Sequence, residues 1–477
     1  MRELPVNQIL CGDCVEVMRG WSADSIDLVV TSPPYWGLRD YGEETVRVWG
    51  GSPECEHDFS LSAPPPRQRS KNDIVNQNSK QSYKDNPSAY DSTESSFCSK
   101  CGAWRGSLGL EPHPQLFIDH LVEICREIKR VLKPSGTFWL NLGDTYWSKP
   151  WRKKNVHHGI KSPNMGFPTS CVHKDYGPEP WMQPKQKLMI PARVAIALQH
   201  DGWILRNDII WHKPNHMPSS VKDRLTCSYE HVFLFAKAQR YYFDLDAIRN
   251  PSTSTPWSSK SGKEPYQQNN PRKRYDGKFN ADIAETLASP RARQSTREST
   301  SYYHPLGKNP GDLWRIPTMP FPGAHFATFP PKLINPIIKA GCPRWICSRC
   351  GKPRERIVEK RGYVEHPQRK GRNVKAVQFS KEENKYVSGG TLGLISQEET
   401  IGWSDCGCEA DWVGGVVLDP FAGSGTALRV ARKLGRRFIG IEINPEYADM
   451  ARQRVRGKYK PVPEGVVKLT DIKEAEK

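Results

Sequence analysis

The stretch Val416-Val417-Leu418-Asp419-Pro420-Phe421-Ala422-Gly423-Ser424-Gly425-Thr426 decides the fold. A short apolar run stops at Asp-Pro, and a glycine-rich turn follows. Thr426 to Leu434 then carries helical spacing, with Gly435 placed as a left-handed cap. Arg437 to Ile441 reads as the next strand and ends in Glu442; Asn444 and Pro445 suit the N-cap and first position of another helix. Strands alternating with helices at this spacing predict an α/β fold, a mostly parallel sheet covered on both faces. Gly423 and Gly425 let the backbone approach a ligand closely, and the helix N-terminus offers free N–H groups to an anion. Glu442, at the end of the next strand, stands where dinucleotide folds place an acidic residue against ribose hydroxyls. No Gly-Lys-Ser/Thr follows the turn, and the three-glycine dinucleotide spacing is absent, so neither of those phosphate-binding loops applies.

Working outward, the same alternation recurs. Ile26 to Val30 is a buried-strand pattern with one Asp, stopped by Thr31-Ser32-Pro33-Pro34-Tyr35-Trp36. From Gln115, the positions Phe117, Leu121, Ile124, Ile128 and Val131 follow helical spacing, and Thr137 to Leu142 reads as a strand. A further helix spans Ala192 to Gln199, with strands over Trp203 to Trp211 and Val232 to Ala236. Three polar stretches break the pattern, around 49–109, 148–184 and 250–309. Long irregular stretches inside a compact domain are functional insertions or disordered segments.

The chain has 477 residues, a formal net charge of +18 and a mean hydropathy of −0.67. That charge favours a polyanionic partner, most simply nucleic acid. No apolar run reaches membrane-spanning length, and the N-terminus has no apolar core of a secretory signal. The 13 cysteines are therefore expected to be intracellular thiols or metal ligands rather than disulfides. Cys347 and Cys350 pair with Cys406 and Cys408 as a four-cysteine zinc pattern. Cys98 and Cys101, with Cys55 and His57 upstream, suggest a second zinc site; His113 and His120 are alternatives to His57, and Cys342 is an alternative ligand in the C-terminal site.

Ser32-Pro33-Pro34-Tyr35 resembles the catalytic loop of amino-group DNA methyltransferases, and Asp419 to Thr426 resembles the loop with which they hold S-adenosylmethionine. A lone Ser-Pro-Pro is an ordinary turn; the pair of strings is what carries the resemblance. With the catalytic string first and the cofactor string last, the order resembles the beta class of the family. The resemblance implies a Rossmann-like, S-adenosylmethionine-dependent methyltransferase sheet, circularly permuted, with zinc-binding and irregular insertions. It implies a catalytic set of Ser32, Pro33, Pro34 and Tyr35, with Tyr35 stacking on a base taken out of the helix. Asp13, Asp419, Phe421, Gly423, Ser424, Gly425, Thr426 and Glu442 would hold the cofactor, Asp13 at its adenine. Trp211, Lys213 and Pro214 resemble the segment flanking the base pocket, and Phe326 to Leu333 the element before the cofactor loop.

Ser-Pro-Pro-Tyr is typical of cytosine-N4 enzymes in this family, whereas adenine-N6 enzymes more often carry Asp or Asn in place of Ser32. Double-stranded DNA methylated at cytosine N4 is the leading expectation. Adenine N6 is an alternative, and a non-catalytic zinc-containing DNA-binding protein on a methylase scaffold is another. The expected organisation is core at 1–48, a zinc-bearing insertion at 49–109, core at 110–249, a target-recognition region at 250–309, core at 310–346, a zinc-ribbon-like insertion at 347–411, the cofactor-binding part at 412–460 and a tail at 461–477. The basic stretch from Trp151 to His158 is a second candidate for DNA contact. The resemblance implies the cytoplasm of a bacterial or phage-infected cell, with a cognate restriction endonuclease as a companion left open.

Overall fold

The computed structural model describes residues 3–60, 95–147, 179–250, 307–319, 329–365, 379–380, 385–386 and 394–457. Most of the expected recognition region, the Trp151–His158 stretch and the tail lie outside the described residues. The chain divides into two compact units. One comprises 1–243, 312–345 and 413–477, and the other 244–311 and 346–412.

The first unit is built on an eight-stranded sheet among the described residues. In chain order its strands are β1 (Gln8–Cys11), β2 (Ile26–Thr31), β3 (Leu132–Leu142), β4 (Ile204–His212), β5 (Tyr229–Ala236), β6 (Leu313–Arg315), β7 (Val416–Asp419) and β8 (Arg437–Glu442). Their spatial order is β1-β8-β7-β2-β3-β5-β4-β6. From β1 to β3 every neighbour is parallel; β5 runs antiparallel to both β3 and β4.

Alternating side chains of the central strands feed two cores, as a sheet covered on both faces requires. On one face Val29, Phe138, Leu140 and Leu418 pack with helices α1 (Cys14–Arg19), α2 (Pro114–Val131) and α3 (Ile190–His200). On the other, Leu28, Val30, Trp139 and Val417 pack with α4 (Pro331–Gly341), α5 (Thr426–Lys433) and α6 (Pro445–Arg456). All six positions of β2 are buried. Among the described residues no helix is long and apolar enough to cross a membrane.

The join between β2 and β7 decides where a ligand can sit. Strand order reverses there, and in open α/β sheets the crevice beyond the carboxyl ends of the strands at such a point is the binding place. The paired register is short, Leu28 with Val417 and Val29 with Leu418. Side chains extend it at both ends. Asp27, the one acidic residue in the apolar run, accepts from Val416 N at 2.8 Å and pairs with Lys133 Nζ at 2.6 Å. At the other end Thr31 Oγ1 donates to Asp419 Oδ1 at 2.7 Å.

In the second unit, Arg356–Glu365 and Leu394–Trp403 form an antiparallel pair. Asp246 takes both Arg249 and Arg356 at 2.7 Å.

Replacing Asp27 with alanine leaves Lys133 and the Val416 N–H without their acceptor. We expect it to lower the unfolding free energy by about 3 kcal/mol, measured by urea denaturation. A loss under about 0.5 kcal/mol, the size of an ordinary surface change, would show that the clamp contributes nothing.

Candidate active site

A cavity of about 730 Å³ opens at the carboxyl ends of these strands, within the usual range for a small-molecule site. One wall is the glycine-rich turn. Gly423 and Gly425 have φ of +49° and +73°, conformations open to glycine at little cost. At Gly425 a Cβ would also stand 3.0 Å from Ala451 Cβ, so the turn packs directly against α6. Phe421, Gly423, Ser424 and Thr426 line the cavity, and the Ser424 and Thr426 hydroxyls are held by the Arg454 guanidinium. Gly425 caps α5 without lining the cavity.

Glu442 ends β8 and also lines the cavity. Its Oε2 accepts from Gly423 N at 2.7 Å and its Oε1 from Asn444 N at 3.0 Å. Burial pushes its pKa up, and the backbone donors of Asn444 and Gly423 oppose that rise. Pairing of β1 with β8 sets Cys11 opposite Glu442, which delivers Asp13 to the same wall. Asp13 is an N-cap: its Oδ1 accepts from Val15 N at 2.9 Å and Glu16 N at 3.0 Å. Asp419 stands behind the wall, only 1% exposed, and does not line the cavity.

The facing wall is Ser32-Pro33-Pro34-Tyr35, all four lining the cavity. Tyr35 is held by a polar network drawn from distant strands. Ser32 Oγ donates to Tyr35 Oη at 3.1 Å, and Tyr35 Oη donates to Glu230 Oε2 at 2.8 Å. The Asn141 amide donates to Tyr35 Oη and to Glu230 Oε2, the latter at 2.9 Å. Lys213 pairs with Glu230 Oε1, and its Nζ stands 4.7 Å over the Trp211 ring. Burial, then the Glu230 charge, raises the Tyr35 pKa well above that of a free phenol, so the hydroxyl keeps its proton. Gly143 lets the ring lie flat: a Cβ there would come within 2.7 Å of Tyr35 Cε2. Asn141 Oδ1 is buried and accepts no hydrogen bond among the described residues.

Asn141 and Glu230 were not singled out from sequence. An amide inside the apolar run Phe138-Trp139-Leu140-Asn141-Leu142 was the available signal for the first. Nothing local marks Glu230. Tyr41 and Tyr447 also line the cavity without having been singled out.

Each expected metal cluster comes together, with ligand atoms within 4.8 Å of one another. In the first unit Cys55, His57, Cys98 and Cys101 converge: Cys55 Sγ lies 4.0 Å from Cys98 Sγ, and Cys101 Sγ lies 3.3 Å from His57 Nδ1. Tetrahedral zinc–sulfur bonds put sulfurs about 3.8 Å apart. His113 instead caps α2, His120 pairs with Glu111 and Cys342 is buried, and none of the three joins either convergent group. In the second unit Cys347, Cys350, Cys406 and Cys408 converge. Burial raises the Cys98 thiol, yet the N–H groups of Cys101, Asp58 and Lys100 bring it down to about 5. Hydrogen bonding to Cys350 and Cys406 pushes Cys408 up to about 12. Four thiols this close without a cation must share protons, which a metal would displace.

Burial raises the Asp419 carboxyl to about 7, against the opposing hydrogen bonds from Thr31 and Phe421 N. Between 3.8 and about 7 the folded chain therefore holds a proton that the unfolded chain releases. By linkage, this group's contribution to stability falls as pH rises through that window. Unfolding free energies of the wild type and Asp419→Asn, measured across it, should show the wild type losing ground to the variant with rising pH. A pH-independent difference would refute the raised value.

The family model described as DNA methylase matches residues 26–344 and 406–453. The Type II methyltransferase M.SmaI of Serratia marcescens is 28% identical over 450 residues, covering 94% of this chain and 90% of the relative. M.SfiI of Streptomyces fimbriatus is 27% identical over 518 residues, covering 91% and 88%. Among solved structures, PvuII DNA methyltransferase (cytosine-N4-specific) aligns with a TM-score of 0.40 at 15% identity, covering 98% of this chain and 89% of that one. Since the family model spans most of the sequence and both strings that form the cavity, the chain belongs to the N6/N4 family of DNA methylases.

Proposed function

We propose that the protein transfers a methyl group from S-adenosylmethionine to the exocyclic N4 of cytosine at a specific site in double-stranded DNA. The observation that carries this reading is one cavity in which the Ser32–Tyr35 loop faces the Phe421–Thr426 turn. S-adenosylmethionine supplies an electrophilic methyl on a sulfonium. Phe421, Gly423, Ser424, Thr426, Glu442 and Asp13 are the groups available to hold it, with Gly425 shaping the turn and Asp419 supporting the wall from behind.

An exocyclic amine is a poor nucleophile because its lone pair is delocalised into the ring. Acceptors on its two hydrogens favour a tetrahedral nitrogen. The hydroxyl chain supports that role for Ser32. Its proton points to Tyr35, whose own proton points to Glu230; one Ser32 lone pair takes the Asn141 amide at 3.4 Å, and the other is left to accept. Pro33 offers its carbonyl, and the buried Asn141 Oδ1 is a further acceptor beside them. A hydroxyl at position 32, where a carboxylate or amide would suit adenine N6, is the support for cytosine.

The net charge of +18 and the Lys/Arg-rich segment 250–309 support duplex DNA as the partner. The Type II names of the relatives support a place in a restriction–modification system, with a cognate endonuclease as companion, in the cytoplasm of a bacterial or phage-infected cell. We read each four-ligand cluster as a structural zinc site, on the convergence of its donors.

Incubation with tritiated S-adenosylmethionine and mixed-sequence duplex DNA, followed by nucleoside chromatography, should place label in N4-methylcytosine. Label in N6-methyladenine would overturn the choice of base, and no label the reaction itself. Ser32→Ala should slow methyl transfer by about 10- to 100-fold, the scale of one hydrogen bond made in the transition state. Full activity in that variant would remove Ser32 from catalysis. Metal analysis should find about two zinc ions per chain, with one lost in each of Cys101→Ser and Cys350→Ser. Unchanged content in both would sink the zinc assignment.

A further inference from the structure

The first metal cluster is joined to the catalytic loop by an unbroken series of contacts. Its ligands flank a hairpin in which Val46–Trp49 pairs antiparallel with Trp104–Ser107, Trp49 opposite Trp104. The two strands connect through residues 50–103, and closing so long a loop on a two-stranded ribbon is unfavourable without a staple. At Gly51 a Cβ would stand 2.7 Å from Cys101 Sγ, so the ligand side chain packs directly against the start of that connection.

From the hairpin, Trp49 and Trp104 both stack on the His120 ring, with centroids 4.6 and 5.5 Å away and planes within 22°. His120 Nδ1 lies 3.0 Å from Oε1 of Glu111, a carboxylate with 0% exposure. A carboxylate buried that far is retained only where its oxygens are satisfied. Its Oε2 accepts from Gly109 N at 2.8 Å. Gly109 in turn sits on the catalytic loop. Its carbonyl accepts from Gly37 N at 2.7 Å, and with φ of +92° a Cβ on it would stand 3.0 Å from the Tyr35 carbonyl. The Glu111 carbonyl accepts from Trp36 Nε1 at 3.0 Å. Neither His120 nor Glu111 lines the cavity.

We propose that the Cys55/His57/Cys98/Cys101 site is a metal-set brace: by fixing the hairpin it holds His120 and Glu111, and through them the backbone of Tyr35 to Gly37, in the conformation used for methyl transfer. His120 and Glu111 are then positioning residues that act through Gly109 and Trp36. This rests on the zinc reading of that cluster, and the test separates the two.

The test is hydrogen exchange read by mass spectrometry on the full chain, comparing wild type, Cys101→Ser and Glu111→Gln, with metal content measured on each. A peptide covering 33–38 reports the brace, and one covering 416–442 reports the integrity of the sheet. The brace predicts exchange at the Gly37 amide faster by about tenfold or more in both variants, with 416–442 unchanged. It also predicts a slower single-turnover methylation rate in Glu111→Gln at unchanged amplitude and unchanged S-adenosylmethionine affinity. A general loss of folded protein would lower amplitude instead. If the wild type carries no metal in this cluster, the zinc reading and the brace both fall. If metal is present and lost in Cys101→Ser while 33–38 exchanges as before, the brace alone is overturned. Should Cys101→Ser also loosen 416–442, Glu111→Gln decides, and unaltered exchange there overturns the proposal.

Discussion

The hydrogen bond from Thr31 to Asp419 joins residues 388 positions apart and fixes the two walls of the cavity to each other. One residue beyond Thr31 the Ser32–Tyr35 loop begins, and two beyond Asp419 the glycine-rich turn reaches Phe421. Any slip between β2 and β7 would move the one wall past the other. A ladder of two residue pairs is little to prevent it, and both ends of the seam are accordingly fastened by side chains, Asp27 at one and Thr31 at the other. The energetic weight of the pair differs along its length. Asp27 has a cation and a backbone donor, whereas Asp419 is buried with neutral donors, and burial raises its carboxyl to about 7.

What was legible in the sequence is what is written locally. The strand, turn and helix around Asp419 to Thr426 occupy consecutive residues, and each signals itself through periodicity, glycine or a cap. The Ser32 loop is legible for the same reason. Direction is not encoded that way: nothing in Tyr229 to Ala236 announces that it runs against its neighbours, and β1 is only four residues long, with one buried. The polar network around Tyr35 was partly invisible because its members come from far apart. Asn141 is 106 positions from Tyr35, and Glu230 is 195. Asp419 shows the converse case. The motif expects it against a ligand, while the fold spends it on joining strands behind the wall. Ligand spacing alone also left three histidines eligible for the first metal cluster, and only the packing of His120 on Glu111 and of His113 on α2 separates them from His57.

The polarity of the Ser32–Tyr35–Glu230 chain is set from its far end. Lys213 holds the Glu230 negative charge in place, Glu230 draws the Tyr35 proton, and Tyr35 then accepts from Ser32. A serine in water donates and accepts freely; here its one proton is committed. On the proposed reaction the cavity thus obtains an acceptor from a residue that carries no charge, which suits an amine that must become more nucleophilic without being deprotonated.

The arrangement of β2 in the sheet also bears on how the chain is made. Its six buried residues leave the ribosome well before their partner β7, which is encoded nearly 400 positions later. Until β7 is made one edge of β2 has no neighbour, and an unpaired apolar strand edge invites association with other chains. Pairing at such sequence separation is also slow. Completion of the sheet thus waits on β7 and β8, and a product terminated before Val416 would lack both that central strand and the glycine-rich turn. Until translation has passed Glu442 the chain therefore lacks the cavity wall that Gly423 and Glu442 form, and the delay is built into the order of the strands.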